Sequence, residues 1–130
     1  DAANCTENKV GSQPVDGKSL VDLFRNPSKS LQRDLFWHYP HYHAGGDSPY
    51  GAIRSGKWRL IEFYENGGIE LYDLHHDQGE TDNLVSKHPK VTRKLLGKLH
   101  SWRKSVDAQM TTPNPDHDPT KALQVTKKRK

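Results

Sequence analysis

Apolar residues at Val91, Leu95, Leu99, Trp102 and Val106 recur at helical spacing, and Leu96 widens the stripe. Pro89 is tolerated in a first helical turn, so the pattern predicts a helix from about 89 to 108. Upstream the period changes. Asp34-Leu35-Phe36-Trp37-His38-Tyr39 is aromatic and apolar and suits a strand, which Pro40 ends. His41 to Tyr50 contains Gly45-Gly46 and Ser48-Pro49 and reads as a surface loop. Three further strands are predicted at about 51–55, 57–64 and 69–74, the first two joined tightly at Ser55-Gly56. Asn66-Gly67 signals a two-residue hairpin, because both residues tolerate the positive φ of a type I′ turn.

In the 57–64 strand, Arg59, Ile61 and Phe63 share one face, and Trp58, Leu60, Glu62 and Tyr64 share the other. Apolar side chains on both faces imply a sheet covered on two sides, with the 89–108 helix as one cover. The expected class is α+β: a small antiparallel sheet of about four strands, packed by one long C-terminal helix, with extended or disordered termini. Residues 1–18 are polar and read as a loop; Ser19 to Arg25 reads as a short helical turn, with Ser19 as N-cap and Asp22 three residues on. Pro113, Pro115 and Pro119 forbid regular structure, so the chain from Thr111 is expected to be extended and then disordered. The expected organisation is therefore an irregular segment over 1–33, a folded subdomain over 34–110 and a Pro-rich, basic tail over 111–130.

Charge refines this picture. The net charge is +4, but residues 121–130 alone hold five basic residues and no acid. The rest carries 15 basic and 16 acidic residues, which leaves a body of net charge −1 and argues against nucleic-acid binding. From Glu62 to Asp82 there are seven acids and no Lys or Arg; from Lys87 to Lys104 there are seven basic residues and no acid. Complementary blocks favour the helix lying back over the sheet. The sequence shows neither a signal-type apolar segment nor a run able to span a membrane. Hydrophobic content is 32% and mean hydropathy −0.99, low for a compact domain, so part of the surface is expected to pack on something else. The single cysteine, Cys5, excludes an intrachain disulfide and a multi-cysteine zinc site.

The order of several short motifs carries more. Val15-Asp16-Gly17-Lys18-Ser19-Leu20 is followed by Leu35-Phe36-Trp37-His38-Tyr39-Pro40-His41-Tyr42 and then by Ala52-Ile53-Arg54-Ser55-Gly56-Lys57-Trp58-Arg59-Leu60. Last come Leu71-Tyr72-Asp73-Leu74 and Gly79-Glu80-Thr81-Asp82-Asn83-Leu84. In this order and spacing the chain, from about Pro14 to Pro119, resembles the C-terminal subdomain of the sulfatases, which hydrolyse sulfate esters. The resemblance implies a parent enzyme with a formylglycine nucleophile, made in a Cys/Ser-X-Pro-X-Arg motif, and a calcium ion held by acids. Cys5 is followed by Thr6-Glu7-Asn8-Lys9, which lacks the Pro and the Arg. Paired N-terminal aspartates, a metal-binding Asp-Asn pair and catalytic Lys and His motifs are also missing from the sequence. The expectation is a chain with no catalytic residue, cofactor or metal ligand of its own, inert in isolation. Its expected partner is the missing N-terminal sulfatase domain, with a periplasmic or extracellular setting plausible for the parent.

His38, His41 and His43, flanked by Trp37, Tyr39 and Tyr42, form the densest set of functional side chains. The resemblance places this segment where the subdomain meets the large domain, near the substrate pocket. Imidazoles there could donate to sulfate or sugar hydroxyls, with Arg54 adding a guanidinium for an anionic group. The competing readings are packing, with the histidines only completing hydrogen bonds, and a metal site, although His-X-X-His-X-His is not a helical zinc spacing. For Arg54 the competing reading is an ion pair. His75 and His76 are expected to be solvated. The candidate substrate-binding residues are thus His38, His41, His43 and Arg54, for a sulfated carbohydrate or an aryl sulfate, in a fragment that shapes one side of the cleft. The alternative is a standalone binding module for sulfated glycans or other anions. Phe36, Trp37 and Tyr39 are expected to face the missing domain and, left bare, to drive self-association.

Overall fold

The structure is a computed structural model and describes residues 9–10, 13–14, 17, 19–26, 28–29, 32–43 and 48–116. The expectations for Cys5, the Gly45-Gly46 loop tip and the tail beyond Asp116 lie outside those residues. The chain forms two compact units, residues 1–32 and 33–130.

The first unit holds strand β1 (Lys9–Val10) paired antiparallel with β2 (Gln13–Pro14), and helix α1 (Val21–Arg25). Two-residue strands carry no alternation, so this ladder left no trace in the pattern of the sequence. The expected N-cap is corrected. Leu20, not Ser19, occupies that position, with no side-chain cap; the Ser19 hydroxyl instead accepts the Val21 N–H at 3.3 Å, too early in the chain to reach the next turn.

The second unit is a four-stranded antiparallel sheet in sequential order: β3 (Leu35–Tyr39), β4 (Tyr50–Ser55), β5 (Trp58–Phe63) and β6 (Ile69–Asp73). Helix α2 (Pro89–Ser105) packs across it, giving the expected α+β arrangement. Register explains the core. Phe36, Ile53, Leu60 and Leu71 lie directly opposite one another across all four strands and so project from one face. That row meets Leu95 and Leu99, with Phe36 stacked on Trp102 at 4.9 Å between ring centroids. Ile53, Leu60, Leu71 and Leu99 are fully buried. Phe36 is partly buried on the helix face of the sheet, whereas Trp37 and Tyr39 project from the other face, so the three aromatics do not form one patch. Val106 also leaves the stripe: the helix stops at Ser105, and Val106 is half exposed beyond it.

The turn between β5 and β6 differs from the two-residue form. Gly67 alone takes positive φ (+64°), and its N–H reaches back to Phe63 O, while Phe63 N–H donates to Gly68 O. Asn66 stays outside the left-handed region because its side chain serves as an acceptor for Gly68 N–H at 2.8 Å. The result is a longer loop over 64–68.

The segment after β6 closes the sheet edge. Asn83 Oδ1 accepts Leu71 N–H, Asn83 Nδ2 donates to Ile69 O, and Leu84 N–H donates to Leu71 O. The Asp77 carboxylate receives the backbone N–H groups of Thr81 and Asp82, and these bonds hold its carboxyl below the usual range. No helix among the described residues is long and apolar enough to cross a membrane.

Because Leu99 is fully buried in the cluster with Ile53, Leu60, Leu71 and Leu95, Leu99→Ala is expected to lower unfolding free energy by about 2–5 kcal/mol. Denaturant titration followed by tryptophan fluorescence checks this; a loss under about 1 kcal/mol would mean that the helix contributes little to the fold.

Candidate functional site

The sheet face away from α2 carries Trp37 and Tyr39 from β3, Tyr50, Ala52 and Arg54 from β4, Arg59, Ile61 and Phe63 from β5, and Glu70 and Tyr72 from β6. Ala52, Ile61 and Tyr72 are buried, with Tyr50 and Phe63 packed against them. Trp37 remains 45% exposed. An open depression of about 490 Å³ lies over Tyr50, Arg59, Ile61, Phe63, Glu70 and Tyr72. Its polar groups are mutually engaged: Arg59 pairs with Glu80, and the Tyr72 hydroxyl donates to Glu70 at 2.9 Å. Burial, and then the bond to Glu70, push the Tyr72 phenol up to about 12, so it stays protonated at physiological pH.

Arg54 is exposed on this face, opposite Arg59, and makes no ion pair among the described residues. His41 follows β3 at the other end of the sheet, exposed and set edge-on to Tyr39 at 5.8 Å. His43 is exposed nearby. Along β4, Tyr50 and Arg54 are separated by four residues, about 13 Å at strand rise. Arg54 and the His41–His43 segment thus mark opposite ends of one face, and the four candidate residues do not converge on a single point.

His38 points to the opposite face. Its Nδ1 lies 2.7 Å from the Tyr64 hydroxyl and its Nε2 2.8 Å from Gln109 O. A carbonyl can only accept, so Nε2 carries the proton, and Nδ1 accepts from Tyr64 in the neutral ring. His38 ties the end of α2 and its following segment to the sheet. Gly51, opposite His38, makes room for this: a Cβ there would sit 2.4 Å from the Tyr64 hydroxyl oxygen. Burial pushes the Tyr64 phenol up, against the opposing pull of Arg103, whose guanidinium lies 5.2 Å from the ring. Arg103 also donates to Glu62 at 2.7 Å, and His100 contacts the same carboxylate at 2.9 Å.

The acids of the late motifs turn out to be structural. Asp73 is buried, with its carboxylate bound by Lys57 Nζ at 2.7 Å, by His76 Nδ1 and by the His75 N–H. The Lys57 bond, more than the others, holds its carboxyl well below the usual range. Spacing alone could not reveal that Asp73, Glu80 and Asn83 each brace β5 or β6, since their partners come from other elements. Among the described residues no group of three or more His, Cys, Asp or Glu side chains could hold a metal ion.

Residues 7–105 match the family described as N-sulphoglucosamine sulphohydrolase, C-terminal. The chain belongs to this sulfatase family. A sulfatase of Formosa agariphila is 32% identical over 102 residues, covering 69% of this chain and 18% of that protein. Arylsulfatase K of Mus musculus is 28% identical over 94 residues, covering 67% and 17%. The chain thus spans less than a fifth of the length of these curated relatives. Among solved structures, BT4656 in complex with its substrate D-glucosamine-2-N,6-O-disulfate superposes with a TM-score of 0.61 at 25% identity, covering 76% of this chain and 21% of that one. BT1596, a 2-O GAG sulfatase, shares the fold with a TM-score of 0.65 at 22% identity, covering 86% and 25%.

Two outcomes follow from the geometry. Asp73 has a lowered folded-state pKa, so its stabilising contribution is present above the unfolded carboxylate pKa and is lost as pH falls through the folded one. Carboxyl-carbon NMR should show Asp73 still ionised at about pH 3.9, where a free aspartate is half protonated; a midpoint at that pH would contradict the Lys57 pairing. Gly51→Ala should displace the Tyr64 ring and break its bond to His38, lowering Tm by several degrees, roughly 4–8 °C per kcal/mol lost. An unchanged Tm with an unshifted His38 imidazole resonance would refute that coupling.

Proposed function

We propose that this chain is the C-terminal portion of a sulfate ester hydrolase and shapes one side of its substrate cleft. The observation that carries the reading is the family match over residues 7–105, in a chain spanning less than a fifth of its relatives. An N-terminal sulfatase domain is its partner, and the sheet face away from α2 is the surface offered to it. An exposed Trp37, an Arg54 with no ion pair among the described residues and an aromatic floor of Tyr39, Tyr50 and Phe63 suit a face that works against another body. The substrate is a sulfated sugar or an aryl sulfate. The disulfated glucosamine bound by BT4656 supports the sugar.

Within that cleft Arg54 contacts an anionic group, and His41 and His43 contribute from the far end of the same face. His38 acts through position: its two hydrogen bonds fix the strand from which the His41–His43 segment departs. Formylglycine and calcium belong to the N-terminal domain and supply the nucleophile and the neutralising charge there. Without them this chain is inert. No observation favours the standalone module over the fragment, since the family match is to a C-terminal region.

The purified 130-residue chain should show no hydrolysis of an aryl sulfate with calcium present; turnover by this chain would sink the reading. Expressed behind a catalytic sulfatase domain, Arg54→Ala should lower kcat/KM for a sulfated glucosamine by about tenfold or more with Tm unchanged. Equal kcat/KM would remove Arg54 from the cleft.

A further inference from the structure

Helix α2 turns a second, unrelated surface to solvent. Its buried arc holds Thr92, Leu95 and Leu99. The opposite arc presents Lys90, Arg93, Lys94, Gly97, Ser101 and Lys104, all exposed. Lys90, Arg93 and Lys104 make no ion pair among the described residues. Lys94 is electrostatically felt by Asp34, whose carboxylate is already bound by Lys98 at 2.6 Å. The helix contains no acid, and its first turn has none to complement the dipole. Cations near a helix N-terminus oppose the macrodipole, so Lys90, in the first turn, stands where helix stability disfavours it, and Arg93 follows in the next turn. The glycine between them and Lys104 is equally costly: Gly97 weakens a helix interior by about 1 kcal/mol relative to Ala, yet a Cβ there would meet nothing within 4 Å. Packing inside the chain explains neither choice.

We infer that this exposed face of α2 docks a linear sulfated polysaccharide, outside the catalytic cleft. From Lys90 to Lys104 the cations run about 21 Å along the helix, a length that suits a polyanion and exceeds a single sulfate. Gly97 and Ser101 lie mid-stripe and let such a chain approach the backbone between flanking cations. None of the six residues of the stripe is a large apolar side chain for entering a bilayer, which disfavours lipid. Beside Gly97 and Ser101 an open depression reaches Phe36 and Trp102, rings able to stack on a sugar face. The inference rests on the sulfated-sugar reading of the family. The surface would hold the polymer while one of its sulfated units is processed elsewhere.

The test is heparin-oligosaccharide binding by the full chain at about 0.15 M salt, where charges are screened beyond roughly 8 Å. The triple variant Lys90→Gln, Arg93→Gln, Lys104→Gln should weaken binding about tenfold or more and flatten its salt dependence. The matched variant Arg25→Gln, Lys29→Gln, Arg33→Gln removes the same charge elsewhere and should change binding less than about threefold. Gly97→Glu, which improves helix propensity and leaves the core intact, should also weaken binding and guards against a folding artefact. Equal effects of the two triple variants would overturn the proposal, as would loss of all binding on deleting residues 121–130. Duplex DNA or phosphatidylserine vesicles binding as tightly as heparin would overturn it in favour of those partners. Because the chain is tested without turnover, failure here is distinct from failure of the cleft reading, which shows in the kinetics of Arg54→Ala.

Discussion

The continuous row formed by Phe36, Ile53, Leu60 and Leu71, covered by Leu95, Leu99 and Trp102, is the constraint on which the other features of the second unit depend. Each strand contributes one residue to it, so register cannot slip in any strand without turning its core residue to the wrong face. Fixing that row also fixes the opposite face, because side chains alternate. Trp37, Arg54 and Tyr72 point away from the helix for the same reason that Phe36, Ile53 and Leu71 point towards it.

Polar contacts then lock the layers in place. Glu62 accepts from Arg103 and meets His100, while His38 bridges Tyr64 and Gln109, so the C-terminal end of α2 is held at two points. At the other end of the sheet, Lys98 reaches Asp34. Below, Asp73 with Lys57 and Glu80 with Arg59 rigidify the strand pair β5–β6. These contacts contribute geometry more than bulk stability, since the exposed members are screened by water. Their result is a rigid frame that holds its two outer faces apart, one aromatic and one basic.

The strands and the long helix were legible because their apolar periodicities are local and agree with packing. The family was legible from the order of five short segments between Val15 and Leu84. Details that depend on tertiary partners were not. Asn66-Gly67 reads as a two-residue turn until Asn66 is seen using its side chain as a backbone acceptor. The acidic and basic blocks favour the helix lying over the sheet, where it is found, but the pairing itself is narrow. Most acids are satisfied within the sheet and its loops, and among the described residues Glu62 is the acid of that block that meets α2. Of the candidate site, Arg54 reads correctly as a strand residue beside a tight turn. The orientation of His38 is fixed by partners 26 and 71 residues away, beyond the reach of any local pattern.

The two edges of the sheet are not equivalent. Asn83 and Leu84 occupy the outer hydrogen-bonding positions of β6, whereas no strand or loop among the described residues pairs with the outer side of β3. No strand can add at residues 69–71 of β6 without first displacing Asn83 and Leu84, so the segment 79–84 acts as a stopper against edge-to-edge growth of the sheet on that side.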